Sequence, residues 1–420
     1  MEAKETQEIF MRKENTLEIL KGISREQVVQ ITCNITIVSI CTVEILRNIL
    51  EKELIKYELK FEKMNYDVAF TMRSNQKLII LDNSRYSKEL CRCSSILSGC
   101  YGMYNLAKQL NFVNHRIVWP FLVAHEFNVT YDFTKEYCSW CSDIGAELVS
   151  QAKRTKKVNN MGIEQVELIT LPFIYESSLF DAIQNDLKTV CKKKLFSGQN
   201  KENKANCNRK IYEFLAKEGI SIAVAHETYK NIDYEQNENM EYIFGTETSL
   251  IFVHEHSFKI RPIEHYILIS HFLHNNNPLN AFFSLSKKEY YMNTGYLNMI
   301  MTLMNTFKNL AKGMKKVENT MIFFEKLKTD HFVSETDQID TNVLFILLKM
   351  TRIYLRFKFE NDFDHVLVLK GNDVIYLVSI AVGFEGISHD KVLERDDIYI
   401  KIKKNDLKQV LRDALLKDDE

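Results

Sequence analysis

Short apolar runs separated by polar, helix-compatible stretches recur through the first two thirds of the chain. Val28 to Leu46 is the most apolar early run, and the polar residues Gln30, Asn34 and Glu44 within it predict a buried helix or strand pair. "RNILEKELIKYELKFEK" follows, and its Ile49, Leu54, Leu59 and Phe61 predict an amphipathic helix. "KLIILDNS" is a four-residue apolar run that stops at Asp82-Asn83-Ser84, the pattern of a buried strand. A helix through Leu110 then leads into an apolar run from Ile117 to Val123, read as a strand although Trp119-Pro120 interrupts it. Residues 128–207 are a polar insertion with an Asn/Lys-rich loop, "SGQNKENKANCN".

"RKIYEFLAKEGISIAVAHETY" predicts a helix stopped by Gly219 and a strand from Ile220 to Val224, with Glu227 opening the next helical stretch. Tyr242 to Phe244 predicts one more strand before Gly245. Strands alternating with helices imply an α/β core, a parallel sheet with helices on both faces. Beyond residue 284 the stretches lengthen, as in "GYLNMIMTLMNTFKNLAKGMKK" and "NVLFILLKMTRIYLRFKF", and predict a mainly helical C-terminal domain. The expected organisation is a lead-in segment over 1–75, an α/β core over 76–285 and a helical domain over 286–420.

Composition narrows the function classes. The chain has 420 residues, 45% hydrophobic and 26% charged, the balance of a globular protein with room for two or three domains. Net charge is −1, so contact with nucleic acid must rest on a local patch. The clusters Lys153-Arg154, Lys156-Lys157 and Lys192-Lys193-Lys194 are the candidates, set against interleaved acids such as Glu164, Glu167 and Asp186. Nine irregularly spaced cysteines suit a reducing compartment, and the reading is an intracellular protein, cytoplasmic or nuclear, with no membrane span.

In a parallel sheet ligands gather at the carboxyl ends of the strands. The acids that follow the predicted strands are Asp82, Glu126, Glu227 and Glu247. Gathered at one edge, they would be the ligands of a divalent cation pair; singly, each is as well explained as a helix-starting acid. His254, His256, His265, His271 and His274 crowd one stretch without a His-Glu-x-x-His helix, and Cys138-Ser-Trp-Cys141 is a lone pair, so neither makes a zinc signature. Walker-type and Gly-x-Ser-x-Gly motifs are absent from the sequence.

The succession "KLIILDNS", "RIVWPFLVAH", "IYEFLAKEGISIAVAHETY", "MEYIFGTETSLIFV", "FKI" and "EHYILISHFLHNNNPLNAF" resembles the PIN-like core of the XPG/flap-endonuclease superfamily. The resemblance covers about residues 77–285 and matches Asp82 to the family's first aspartate and Glu227 to its first helix glutamate. Where further acids are expected, this chain has Ala124-His125-Glu126, Thr246-Glu247-Thr248 and Asn275-Asn276-Asn277. Neutral amides supply no charge to a hard cation. The thinning resembles the non-catalytic branch typified by the fungal maintenance-of-killer-toxin post-transcriptional regulator. That likeness implies a scaffold with protein partners, among them poly(A)-binding-associated factors, and no cofactor. Two alternatives stand beside it. One is an active nuclease using Mg or Mn on Asp82, Glu126, Glu227 and Glu247, with Asp82, Glu227 and Glu247 catalytic. The other is a structural subunit without nucleic-acid contact.

Overall fold

The computed structural model describes residues 8–10, 28–63, 68–71, 77–80, 99–128, 161–171, 174–195, 204–254, 258–286, 295–312, 314–317, 320–326, parts of 343–355, 364–370, 374–379, 392–395 and 399–415. The chain forms two compact units: Met1–Val166 with Thr248–Tyr296, and Glu167–Glu247 with Leu297–Glu420. Each unit is thus built from two separated stretches of chain. Both units are mixed α/β. Among the described residues, no helix is long and apolar enough to cross a membrane.

In the first unit, five strands form one sheet: β1 (Glu8–Phe10), β2 (Val28–Cys33), β3 (Lys56–Phe61), β4 (Val68–Thr71) and β5 (Lys77–Ile80). Their order is β1-β5-β4-β2-β3. β1 runs parallel to β5 and β2 parallel to β3, while β4 is antiparallel to both β2 and β5. Four strands therefore point the same way, with β4 alone reversed. The lead-in segment is part of this sheet rather than an appendage to it.

Helix α1 (Ile37–Lys52) leaves β2 directly and packs against α2 (Gly99–Gln109) and α3 (His115–Asn128). The expected amphipathic helix through Phe61 stops instead at Lys52. Leu54 takes a left-handed φ of 58°, and "KYELKF" then alternates half-buried with exposed positions along the edge strand β3. The period of two wins there because the strand has β2 on one side only.

The run Ile117–Val123, expected as a strand, is the middle of α3. Asn114 caps it, its Oδ1 accepting from the amides of Arg116 (2.9 Å) and Ile117 (3.2 Å). Ile117 through Ala124 are all buried, Pro120 included, because α3 lies among α1, α2 and α9 (Pro262–His274). A segment buried all round has no polar face, so its periodicity cannot separate helix from strand.

The second unit repeats this lesson twice. Helix α6 (Lys204–Lys217) ends at Gly219, at φ +77°, as expected. The residues after it, expected as a strand, form the short helix α7 (Ile222–His226), begun by Ser221, whose Oγ accepts from the Val224 amide at 3.3 Å. Tyr242–Phe244, also expected as a strand, is the last turn of α8 (Tyr234–Phe244). Met240, Ile243 and Phe244 recur there at helical spacing and are buried in a core with Leu179, Ile183, Ile211 and Leu215. Preceding these are α4 (Leu179–Asn185) and α5 (Leu187–Lys192). Gly245, at φ +79°, ends α8 and admits β7 (Thr246–His254). β7 lies between β6 (Met161–Ile169) and β8 (Phe258–Ile260) in a three-stranded sheet.

The region after residue 286 begins as expected, with α10 (Pro278–Ser284) just before it and α11 (Gly295–Lys312) within it. It then departs from the helical reading. β9 (Lys315–Val317), β10 (Thr320–Lys326), β11 (Asp364–Lys370), β12 (Val374–Val378), β13 (Val392–Arg395) and β14 (Tyr399–Lys403) make a six-stranded sheet. Its order is β13-β14-β12-β11-β10-β9, with β10 and β11 parallel and the other pairs antiparallel. Helix α12 (Leu407–Leu415) sets Val410 into the cluster of Val366, Val368, Ile375, Leu377, Ile400 and Ile402.

Gly219 offers a direct check of the boundary it creates. A Cβ there would meet nothing within 4 Å, so Gly219→Ala feels only the backbone cost of a left-handed φ. The expected loss is about 1–2 kcal/mol in urea unfolding, and Gly219→Asn should lose less because asparagine tolerates that region.

Candidate functional site at the carboxyl edge of the sheet

The four like-directed strands of the first unit end at Phe10, Cys33, Phe61 and Ile80, and these ends share one edge of the sheet. Such an edge is where open α/β sheets place ligands. What occupies it is set by the turn from β2 into α1, Asn34-Ile35-Thr36. Helix α1 is buried over most of its length, so the amides of its first turn cannot turn to water. Local acceptors in the turn serve instead. Thr36, extended at φ −131° and ψ 157°, accepts from the Ser39 amide at 3.2 Å through Oγ1, which also lies 2.6 Å from Ser39 Oγ. The Thr36 carbonyl accepts from the Ile40 amide at 3.0 Å. Asn34 Oδ1 accepts from the Ile35 amide at 2.9 Å, and the Glu62 amide donates to the Cys33 carbonyl at 2.9 Å.

Asn34 is 2% exposed, Thr36 8% and Ser39 0%. The first turn of α1 contains no acid. At this strand end an amide and two hydroxyls, all neutral, stand where a hydrolytic site would need carboxylates to hold a divalent cation. The next acid along α1, Glu44, is 1% exposed and is taken up within the helix. Arg47 donates to its two oxygens at 2.8 and 2.6 Å, and Asn48 Nδ2 donates to Oε1 at 3.1 Å. Burial pushes the Glu44 carboxyl up, and the bonds from Arg47 and Asn48 pull it back toward the ionised form.

The acids singled out from the sequence distribute otherwise than expected. Asp82 comes two positions after the end of β5, on the strand whose end shares the edge with β2, but Asp82 itself lies outside the described residues. Glu126 belongs to the last turn of α3, not to a strand end. Glu227 is the exposed cap that ends α7, and Glu247 is the second residue of β7. None of these three follows a strand, because the runs before them are helical or, for Glu247, because the strand begins rather than ends there. Lys153, Arg154, Lys156 and Lys157 lie outside the described residues. Lys192, Lys193 and Lys194 close α5, the outer two exposed and Lys193 donating to the Ile243 carbonyl at 2.9 Å.

His265 on α9 is the histidine with the most distinct environment, and the sequence reading missed its partners. It is 0% exposed. Trp119 Nε1 donates to its Nδ1 at 2.8 Å, and its Nε2 lies 3.2 Å from Ser284 Oγ, which in turn donates to the Ala281 carbonyl at 2.7 Å. Because an indole nitrogen only donates, Nδ1 is the acceptor and the neutral ring carries its proton on Nε2. A histidine protonated on the side facing serine cannot draw that serine's proton, so the pair is a structural bridge joining α3, α9 and α10. Burial drives the His265 pKa down to about 3. Among the described residues, no group of three or more His, Cys, Asp or Glu is placed to hold a metal ion.

No protein-family model and no curated protein matches the sequence. Among solved structures, the chain is similar to the crystal structure of CDC45 from Entamoeba histolytica, with a TM-score of 0.68 at 12% identity. The superposition covers 97% of this chain and 99% of that one. At that identity the likeness is one of fold. It spans nearly the full length of both chains and not an isolated α/β core.

His265 makes a pH prediction. Its folded pKa lies below the unfolded value near 6.5, so between about 3 and 6.5 the unfolded chain binds a proton that the native chain excludes. Stability should therefore fall as pH drops through that window, by about 1.4 kcal/mol per pH unit from this residue, and be independent of it above. Urea unfolding of the wild type and of His265→Gln from pH 4 to 8 should give stability curves that converge toward low pH.

Proposed function

We propose that this chain is a non-catalytic α/β protein that works as a scaffold in DNA metabolism. The observation that carries the proposal is the closure of the β2 carboxyl end by buried Asn34, Thr36 and Ser39. A strand end that uses its polar side chains to complete its own helix offers no charge with which to bind a cation and polarise a phosphate. The like-for-like coverage of CDC45, with almost nothing of either chain left over, favours the DNA-directed form of the scaffold. The likeness to the nuclease superfamily, and with it the RNA-directed form with poly(A)-binding-associated partners, leans on strands at Ile117–Val123, Ile220–Val224 and Tyr242–Phe244, where the structure has helices.

Incubation of the purified chain with flap, single-stranded and duplex DNA in Mg²⁺ or Mn²⁺ should leave all three substrates intact. Metal-dependent cleavage that Asp82→Ala abolishes would reinstate the nuclease with Asp82 as a ligand. The scaffold role itself is read by affinity purification of the tagged chain from its own cells, expected to bring down a stoichiometric multi-protein assembly.

A further inference from the structure

The sheet of the first unit leaves a six-residue edge strand open. Among the described residues, β3 pairs with β2 on one side and has no strand on the other. The Glu62 amide donates inward to the Cys33 carbonyl of β2 at 2.9 Å. Main-chain groups alternate sides along a strand, so those of Lys56, Glu58 and Lys60 also face β2, and those of Tyr57, Leu59 and Phe61 face away from it. Side chains alternate between the two faces of the sheet in the same rhythm. Lys56, Glu58 and Lys60 are exposed, whereas Tyr57, Leu59 and Phe61 are half-buried, the last with its ring centre 5.9 Å from that of Phe282 on α10. The exposed row continues into Glu62, which forms an ion pair with Lys60. Its charges therefore alternate in sign, Lys-Glu-Lys-Glu.

We propose that β3 pairs antiparallel with β3 of a second copy of this chain, about a twofold axis through Leu59. A twofold contact that extends a sheet without turning its faces over is antiparallel and must be complementary to itself. The outward main-chain groups restrict the register to those that set Tyr57, Leu59 and Phe61 against one another. With Leu59 opposite Leu59, Tyr57 meets Phe61 on the half-buried face. On the exposed face Glu58 then stands opposite Lys60, and Lys56 opposite Glu62, so every charge of the row meets its opposite. The neighbouring registers fail this test: one opposes Glu58 to Glu58 and Lys56 to Lys60, the other Lys60 to Lys60 and Glu58 to Glu62. Lysines on an edge strand keep other strands away. Acids interleaved between them lift that guard in one register and leave it standing in those beside it. The same match favours a second copy over an unrelated peptide, because the complement of this row is the row itself read backwards.

The inference goes beyond the scaffold reading and does not depend on it. A contact this small predicts a weak dimer, populated at micromolar concentrations and above. Sedimentation equilibrium of the full chain across a dilution series should show a monomer–dimer equilibrium, and the amides of Tyr57, Leu59 and Phe61 should gain protection from hydrogen exchange as concentration rises. Glu58→Lys and Lys60→Glu each set like charges face to face in both symmetric pairs, and each should weaken dimerisation about 10- to 100-fold. Mixed together, the two variants should associate with nearly the affinity of the wild type, since each altered charge then meets its opposite on the other chain. The double variant E58K/K60E should likewise recover self-association. A chain that stays monomeric at every concentration, leaving this edge bare or to a different protein, would overturn the proposal. So would a dimer that neither single variant weakens, edge amides indifferent to concentration, or folded single variants that fail to associate when mixed. Unchanged unfolding midpoints verify that the variants are folded.

Discussion

A helix that starts inside a protein must have the amides of its first turn satisfied by the protein itself, and α1 is such a helix. Its burial against α2 and α3 places the β2–α1 turn away from water, where Thr36 Oγ1 accepts from the Ser39 amide and bonds the Ser39 hydroxyl, while Asn34 Oδ1 accepts from the Ile35 amide ahead of the helix. The consequence for function is direct. Groups committed to backbone amides at the sheet's carboxyl edge are not free to ligate a cation, and a carboxylate buried there would carry a desolvation cost that only a bound metal offsets. The same buried helix absorbs Glu44 into a bridge with Arg47 and Asn48, so even its own acid is turned to structural use.

The His265 bridge follows the same logic deeper in the first unit. An imidazole with no exposure has to be neutral, and a neutral ring offers one donor and one acceptor. Trp119 uses the acceptor and Ser284 the donor, so three helices are joined with both ring nitrogens satisfied. In the second unit the buried carboxylate of Asp186 caps α5 by accepting from the amides of Lys188 and Thr189, and Lys193 at the other end of that helix donates to the Ile243 carbonyl beside the Phe214 ring.

Much of the local structure was legible from residue patterns. The strand at Lys77–Ile80, the helix closed by Gly219, the helix leading toward Leu110 and the break at Gly245 all appear where punctuation and periodicity place them. Tyr242–Phe244 and Ile117–Val123 went the other way because short, wholly apolar runs have the same signature in either conformation. The antiparallel sheet near the C-terminus escaped for a related reason: its strands are brief, and long-range pairing, not local preference, holds them.

The sequence by itself determined the α/β character and the positions of the chain breaks, since these depend on residue type and near neighbours. The tertiary structure decided which stretches share a unit and which apolar runs became helices. Those outcomes rest on contacts between residues far apart in the chain. Trp119 and His265 lie far apart in the sequence, and only when α3 and α9 pack does the imidazole acquire its indole donor.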